Sequence, residues 1–117
     1  MQVEQKISAS YVSAQAKTVS TGSGVHLRGN SHVAGLEING TPMLCTGEPN
    51  QIVWLPLGTG KVIINEQIRF RQGSHESITV NALHVIIPGT VDLVVASDRA
   101  DATDDHPPQM NTNPPIG

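Results

Sequence analysis

The chain has 117 residues, a net charge of −3 and only 3% aromatic residues. This length suits one small domain, whose core has to be built from Val, Ile, Leu and Ala. The seven basic residues form no patch with interleaved aromatics, which argues against nucleic-acid binding, and no apolar run approaches the roughly 20 residues of a transmembrane segment.

Cysteine usage and the N-terminus bear on the setting of the protein. The single cysteine, Cys45, excludes an internal disulfide and a cysteine-rich zinc site. We interpret it as a small apolar side chain in a strand, with an intermolecular bridge as the alternative. No apolar signal-peptide core follows Met1. Two alternatives stay open, a protein that remains inside the cell or a chain whose leader has been removed.

The N-terminal segment alternates between apolar and polar residues. Residues 3–20 predict one long strand with a bend near Tyr11, or two strands in succession. A helix over residues 9–16 is the rival interpretation, and the many Ser, Thr and Val residues argue against it. A turn over residues 21–24 then leads into a short strand over residues 25–27.

The strongest hairpin signal in the chain is Asn39-Gly40, which follows a predicted strand over residues 32–38. Both residues tolerate positive φ, as a type I′ turn requires. The return strand is predicted over residues 43–46. It starts after Pro42 because proline has no N–H donor and suits an edge or a strand start.

The second half of the chain predicts strands over residues 52–55, 61–70, 78–87 and 91–97, each followed by a turn signal. The third of these is apolar on both faces, which is typical of a central strand covered on each side. After residue 97 the composition shifts to Asp and Pro. We therefore expect an extended tail over residues 98–117.

This spacing of strands and turns predicts an all-β fold. About seven to nine strands, one every 8 to 12 residues or so, indicate an antiparallel β-sandwich of jelly-roll or Ig-like Greek-key type. The expected organisation is an N-terminal strand over residues 1–20, a sandwich core over residues 21–97 and the tail over residues 98–117.

Several sequence blocks occur in a fixed order: SHVAGLEINGTP (31–42), TGEPNQ (46–51), LP (55–56), VIINEQ (62–67), ITVNALHV (78–85) and VVAS (94–97). Together, over about residues 8–100, they resemble the C-terminal module of the choice-of-anchor P family of bacterial exported surface proteins. The resemblance implies an extracellular, non-enzymatic β protein with no catalytic residues to carry over. The chain departs from the family in lacking its signal peptide and upstream Ser/Leu-rich portion, and in a tail that is no recognised sorting signal.

Glu66 and His84 both interrupt apolar strand faces. If strands 61–70 and 78–87 form a hairpin, Glu66 lies opposite or diagonal to His84, and a hydrogen bond would satisfy both buried polar groups. We predict a structural polar pair that fixes the strand register. The alternative is a general acid/base pair of a hydrolase, which no nucleophile or pocket signature accompanies.

The other candidate metal ligands are three histidines and four aspartates: His26, His32, His75, Asp98, Asp101, Asp104 and Asp105. The histidines lack the tight spacing of a zinc site, and the aspartates lack the glycine-containing spacing of an EF-hand. The aspartates are typical of a solvated acidic linker. We therefore predict no metal site, no cofactor and no catalytic residue.

The alternating N-terminal segment has the pattern of a strand that one subunit donates to the next. The residues expected to make this contact are Val3, Ile7, Ala9, Tyr11, Val12, Ala14 and Ala16. Head-to-tail donation does not close, so it builds a fibre. We predict a structural subunit of an extracellular filament or surface layer, assembled as a homopolymer at the cell surface or in a matrix.

The second functional hypothesis is a monomeric cell-surface module that binds carbohydrate or protein. Only Tyr11, Trp54 and Phe70 could stack on a sugar, so the composition offers little to a carbohydrate ligand. A third class, a hydrolase using Glu66 and His84, predicts that Glu66→Gln abolishes activity and retains stability. We expect instead a loss of stability.

Overall fold

The computed structural model describes residues 5–22 and 24–103, and their backbone is almost entirely in β-strands. The nine strands in chain order are β1 (Ile7–Ser8), β2 (Tyr11–Thr21), β3 (Gly24–Ala34), β4 (Glu37–Ile38), β5 (Thr41–Pro42), β6 (Gln51–Trp54), β7 (Lys61–Gln72), β8 (His75–Ile87) and β9 (Val91–Thr103). A 3₁₀ turn covers Pro56–Gly58. The prediction of an all-β, antiparallel fold is confirmed.

The strands form three groups, all antiparallel. A four-stranded main sheet has the order β6-β7-β8-β9, a small sheet has the order β1-β4-β5, and β2 and β3 form a hairpin. The main sheet follows chain order, so it is a meander and not part of a Greek key. The hairpin packs against β7, β8 and β9 of the main sheet, which gives the molecule its two layers.

The N-terminal segment bends where the alternation predicted, since β1 ends at Ser8 and β2 begins at Tyr11. The two strands predicted between residues 25 and 38 are wrong, because β3 runs without interruption from Gly24 to Ala34. Gly29 lies in the middle of β3, where a Cβ would be 2.3 Å from Val80 Cγ2. This glycine is required for close packing of two layers and not for a turn.

The Asn39-Gly40 hairpin is confirmed, with φ of 54° and 83° as a type I′ turn requires. The return strand predicted over residues 43–46 is wrong, because β5 ends at Pro42. The loop that follows is held by a side chain in place of a partner strand. Gln51 Oε1 accepts a hydrogen bond from Thr46 N at 2.9 Å, and Gln51 Nε2 donates to Leu44 O at 2.8 Å.

The main sheet changes its buried side at one row. Asn65 of β7 and Ala96 of β9 lie opposite Ala82 of β8, and both have positive φ, of 57° and 62°. Before this row the buried apolar residues of β8 are even-numbered, and after it they are odd-numbered. Because side chains alternate along a regular strand, such a change requires a local departure from regular strand geometry. In β7 and β9 this departure coincides with the two left-handed residues, and in β8 it falls at Ala82.

The apolar residues form two core clusters. The first contains Leu36, Ile38, Leu55, Val62, Ile64, Leu83 and Val85, and the second contains Leu27, Ile78 and Val80. On the regular strand β2, Val12 packs against the first cluster, whereas Ala14 and Ala16 pack against the second. These three side chains point to one side, so both clusters lie on the same side of the main sheet.

The other side of the main sheet, named the open face here, carries exposed apolar side chains: Ile52, Trp54, Ile68, Phe70 and Val94. Within one copy, residues 78–87 are therefore covered by a second layer on one face only, and not on both as predicted. Their two-sided apolar pattern arises because the buried side switches at Ala82, so each half of β8 buries a different set of alternate residues.

The predicted start of the tail at residue 98 is also wrong, because β9 continues to Thr103. Ala100 and Ala102 pack against the second core cluster, and Asp98 Oδ2 accepts a hydrogen bond from Ala16 N at 2.9 Å. These alternating alanines give β9 an apolar side to pack on the core, so the strand continues although most of the neighbouring residues are polar. Residues 104–117 lie outside the described residues.

Candidate functional site

Glu66 and His84 meet on the open face of the main sheet. Glu66 Oε1 accepts hydrogen bonds from His84 Nδ1 and from Asn81 Nδ2, each at 2.8 Å. Glu66 pairs with Asn81 across β7 and β8, so His84 lies three positions farther along β8 than the residue opposite Glu66. The contact forms because the strand changes its buried side between Asn81 and His84.

The pair belongs to a longer network that crosses three strands. Ser97 Oγ of β9 donates to Asn81 Oδ1 at 2.6 Å, and His84 Nε2 lies 2.5 Å from Asp92 Oδ1. Sequence reasoning missed Asn81, Ser97 and Asp92, since only the strand register brings them to Glu66 and His84. The polar network is defined here as Glu66, Asn81, His84, Asp92 and Ser97.

The two carboxylates determine the charge of His84. Both ring nitrogens face carboxylate oxygens, which only accept hydrogen bonds, so the doubly protonated, positively charged ring is the form that satisfies both contacts. Burial, with 16% of the side chain exposed, opposes this charge. The hydrogen bonds to Asp92 and Glu66 outweigh the burial and raise the pKa of His84 above its ordinary value.

This arrangement suits a structural role better than proton transfer. Neither nitrogen of His84 is available to a substrate unless a hydrogen bond to a carboxylate breaks first. The hydroxyl of Ser97 reaches Asn81 and not the imidazole, so these residues do not make a nucleophile–base pair. The network ties β7, β8 and β9 together beside the row where the sheet changes its buried side.

We expect the stability of the protein to depend on the ionisation of His84. A raised pKa in the folded state contributes stability that is fully present below the ordinary histidine pKa of about 6.5 and is lost as the pH rises through the folded pKa. The free energy of unfolding, measured by urea titration, should therefore fall as the pH rises across this window.

The control for this pH dependence is His84→Gln, which removes the titrating ring. Its unfolding free energy should be lower than that of the unaltered protein at acid pH and should lack most of the decline above about pH 6.5. The lowered pKa values of Glu76 and Asp101 act on the acid side, and the raised pKa of Cys45 acts on the alkaline side. An unchanged decline in His84→Gln would contradict the assignment.

The structure divides the segment that was predicted to be donated. Ile7 and Ala9 pack against the first core cluster from β1 and its link to β2. The later residues, Tyr11, Val12, Ala14 and Ala16, belong to β2, which pairs along its whole length with the chain's own β3. Their proposed role as donor residues is therefore corrected, and Val3 lies outside the described residues.

The three aromatic residues lie far apart, although Trp54 and Phe70 are both on the open face. Trp54 is 69% exposed on the open face, with Lys61 Nζ 5.7 Å from its ring centre. Phe70 is nine positions from Lys61 along β7, or about 30 Å at the rise of a strand. Tyr11 lies on the outer side of the hairpin, 5.6 Å from the ring of His32. They make no common platform for a sugar.

The candidate metal ligands are scattered. Within residues 5–22 and 24–103, no three His, Cys, Asp or Glu side chains converge on a metal-sized site. His75 Nε2 lies 3.3 Å from Asp101 Oδ1 at the far end of the main sheet. Asp104 and Asp105 lie outside the described residues. Cys45 packs against the first core cluster, and burial raises its pKa, so its thiol stays protonated at neutral pH.

An apolar groove of about 220 Å³ lies between β1 and β9 and was not foreseen from the sequence. The residues that line this β9 groove are Gln5, Ile7, Leu83, Val85, Ile87, Val91, Leu93 and Val95. β1 is an edge strand of the small sheet, and β9 is an edge strand of the main sheet. The small sheet therefore stops short of β9 and leaves Leu93 and Val95 exposed.

One polar atom in the β9 groove has no partner. Gln5 Oε1 accepts a hydrogen bond from Asn39 Nδ2 at 2.8 Å, which fixes the orientation of the amide. Gln5 Nε2 is buried and makes no hydrogen bond. A buried donor without an acceptor is costly, so the chain's own segment fits this position incompletely.

No protein-family model, curated protein or solved structure matches the chain. The resemblance to the choice-of-anchor P family therefore rests on the sequence blocks alone. No helix among the described residues is long and apolar enough to cross a membrane.

Proposed function

We propose that this protein is a structural subunit of an extracellular filament or surface layer, in which the segment preceding Ser10 is exchanged between neighbouring copies. The observation that carries the proposal is the way this segment enters the fold. Its described part, residues 5–9, contains the two-residue strand β1 and lines an apolar groove, whereas β2, three positions farther on, is fixed by an eleven-residue ladder.

The segment can leave its place without unfolding the hairpin. Two residue pairs, Ile7 with Ile38 and Ser8 with Glu37, join β1 to β4, and Asn39 adds hydrogen bonds to Lys6 and Gln5. Every one of these contacts can form equally well between two copies. Exchange of an identical element is a low-cost route to association, and it gives a fibre when the symmetry does not close.

The composition and the resemblance support an extracellular setting. Charged residues are 15% of the chain, and uncharged polar residues take their place. The sequence blocks that resemble exported surface proteins include Asn39-Gly40, Glu66 and His84. A structural subunit needs neither a catalytic group nor a cofactor, which agrees with the closed hydrogen bonding of the polar network.

A pair of introduced cysteines distinguishes exchange from a closed monomer. Ser8 and Glu37 are exposed and directly opposite each other, so Ser8→Cys and Glu37→Cys, made in a Cys45→Ser background, place two thiols at disulfide distance. If the segment is exchanged, oxidation of the assembled protein should give a ladder of covalent multimers on a non-reducing gel. The same variant oxidised at high dilution should give an internal disulfide and serves as the control.

Electron microscopy of the full chain completes this test. Regular filaments or layers together with the ladder support the proposal. Filaments that contain only internal disulfides would overturn the exchange and leave the structural role in place. Dispersed monomers at all concentrations would overturn the structural role.

The alternative function is a monomeric cell-surface binding module, and the open face is the feature that favours it. Its exposed apolar side chains fit a protein partner, whereas the separation of the aromatic residues argues against a carbohydrate. A protein that stays monomeric by electron microscopy and sedimentation would support this alternative.

A further inference from the structure

We propose that the open face of the main sheet is an isologous interface, on which a second copy of this chain packs face to face. The interface is separate from the β9 groove, which lies on the covered side of the main sheet. It therefore adds a second kind of contact, which joins two copies into a closed dimer and leaves no free interface for a third.

The apolar residues of the open face are spaced symmetrically. Trp54 of β6 pairs with Lys61, and Ile52 pairs with Ile63, which places one apolar patch at positions 61 and 63 of β7. The other patch consists of Ile68 and Phe70 on the same strand. Both patches lie at equal distances from the row of Asn65 and Glu66, which is midway between them.

This spacing is self-complementary under a two-fold axis. An axis that crosses the strands at the row of Asn65 and Glu66 brings the Phe70 position of one copy over the Lys61 position of the other. The Ile68 position comes over the Ile63 position in the same way. Each Trp54–Ile52 patch then meets an Ile68–Phe70 patch, as an isologous interface requires. Within one copy, the ammonium group of Lys61 lies over the ring of Trp54. In the dimer this group comes within reach of Phe70 of the other copy, so the Phe70 ring also gains a cation.

Shape at the edge of the sheet favours the same pairing. β6 has four residues and β7 has twelve, so the main sheet has four strands at one end and three at the other. Reversal of one copy places the extra strand of each against the end where the other lacks it. Trp54, on the short strand, fills the space beside Phe70 of the second copy.

The area is adequate for a stable dimer. Three strands of twelve or thirteen residues give a flat area of about 600 Å² per copy. Strand β6 and the uneven surface of the side chains add to the accessible area that is buried. Standard interfaces bury about 800 Å² per partner, with an apolar core and a polar rim. A partner of smaller footprint would leave one of the two patches exposed.

The charges on the face are compatible with this arrangement. The two-fold axis brings Asp101 of one copy towards Asp92 of the other, on the β9 side. Each carboxylate already has a cation beside it. Arg99 Nη2 is 3.1 Å from Asp101, and the ring of His84 binds Asp92. Glu66, Asn81 and Ser97 of the polar network lie at the centre of the interface and are already hydrogen-bonded to one another.

The test is sedimentation equilibrium of the full chain, with Phe70→Asp as the interface variant and Tyr11→Asp as its match. Phe70 and Tyr11 are both 56% exposed, but Tyr11 lies on the outer side of the hairpin. Phe70→Asp should raise the dimer dissociation constant at least about tenfold, because it places a charge in an apolar contact. Tyr11→Asp should leave the dissociation constant unchanged.

A second variant protects the test against misfolding. Trp54→Ala removes the opposite patch of the interface and adds no charge, and its circular dichroism spectrum should equal that of the unaltered protein. Its dimer should weaken by a similar factor. A dimer insensitive to both variants, or a protein that forms no dimer at concentrations where exchange assemblies are also absent, would overturn the interface. If Phe70→Asp no longer forms the face-to-face dimer but still forms open-ended multimers, the exchange of β1 remains supported. The lost association is then assigned to the open face alone.

Discussion

Gly29→Ala should lower the free energy of unfolding by about 2 to 3 kcal/mol, although it adds a single methyl group in the middle of a strand. A Cβ at this position would lie 2.3 Å from Val80 Cγ2 and 3.1 Å from Ile78 Cδ1. Both are fully buried residues of the second core cluster. The hairpin would have to move away from β8, and Leu27 of the hairpin would lose its packing against Ile78 and Val80.

A double-mutant cycle identifies the cause of this loss. Val80→Ala removes the methyl groups that the new Cβ would meet, so it should recover part of the stability lost in Gly29→Ala. The combined variant should then be more stable than the sum of the two single losses predicts, as measured by urea denaturation.

Gly22→Ala is the matched control for this cycle, since nothing lies within 4 Å of a Cβ at that glycine. Its effect on stability should be within about 0.5 kcal/mol. Equal behaviour of the two glycine variants, or strict additivity in the cycle, would contradict the close approach of β3 to β8.

The role of Gly29 also explains one error of the sequence analysis. A glycine flanked by Arg28 and Asn30 has the composition of a turn, and residues 25–38 were therefore divided into two strands. Only the identity of the neighbour in the other layer, Val80, reveals that this glycine is selected for the absence of a side chain. Local sequence patterns identify a turn such as Asn39-Gly40, which was predicted correctly. They carry no information about contacts between the two layers.

The hydrogen bond between Glu66 and His84 shows a different limit. The prediction assumed regular alternation and a register in which the two residues share a face. The register observed is shifted by at least one position, and regular alternation would then place Asn81 and His84 on opposite faces. The left-handed residues Asn65 and Ala96 compensate for this shift. The contact was predicted, but its geometric cause was not, since positive φ at an alanine has no sequence signal.

The apolar pattern of the sequence also did not predict the open face. A strand that is apolar at both parities predicts two covered faces, and residues 78–87 have this pattern. Here the two parities are used in succession, one on each side of Ala82. The sequence therefore predicts how much of β8 is apolar and buried, and the change of buried side at Ala82 places all of its buried apolar side chains on one side of the sheet.

Asn81→Asp should be the most informative change in the polar network, with an expected loss of about 3 kcal/mol at neutral pH. The substitution keeps the shape of the side chain, and Ser97 Oγ can still donate to it. The atom that replaces Asn81 Nδ2 is an oxygen, however, and it faces Glu66 Oε1 across 2.8 Å. Two carboxylates at this distance, at a position that is largely buried, cannot both be ionised without a large penalty.

The stability lost in Asn81→Asp should decrease as the pH falls, whereas the cost of a packing defect would not depend on pH in this way. The pKa of the new carboxyl group is raised in the folded state, so its penalty is complete above that raised value. The penalty shrinks as the pH falls and disappears near the ordinary Asp value of about 3.9. The stability difference from the unaltered protein, measured by urea titration at each pH, should therefore close on acidification.

Asn30→Asp is the control, because Asn30 is exposed on the outer side of the hairpin and the same change of charge there should be nearly neutral. A loss in Asn81→Asp that is constant with pH would show that Asn81 does not donate to Glu66. A loss that closes on acidification would establish that the network holds β7 and β8 in register through charge.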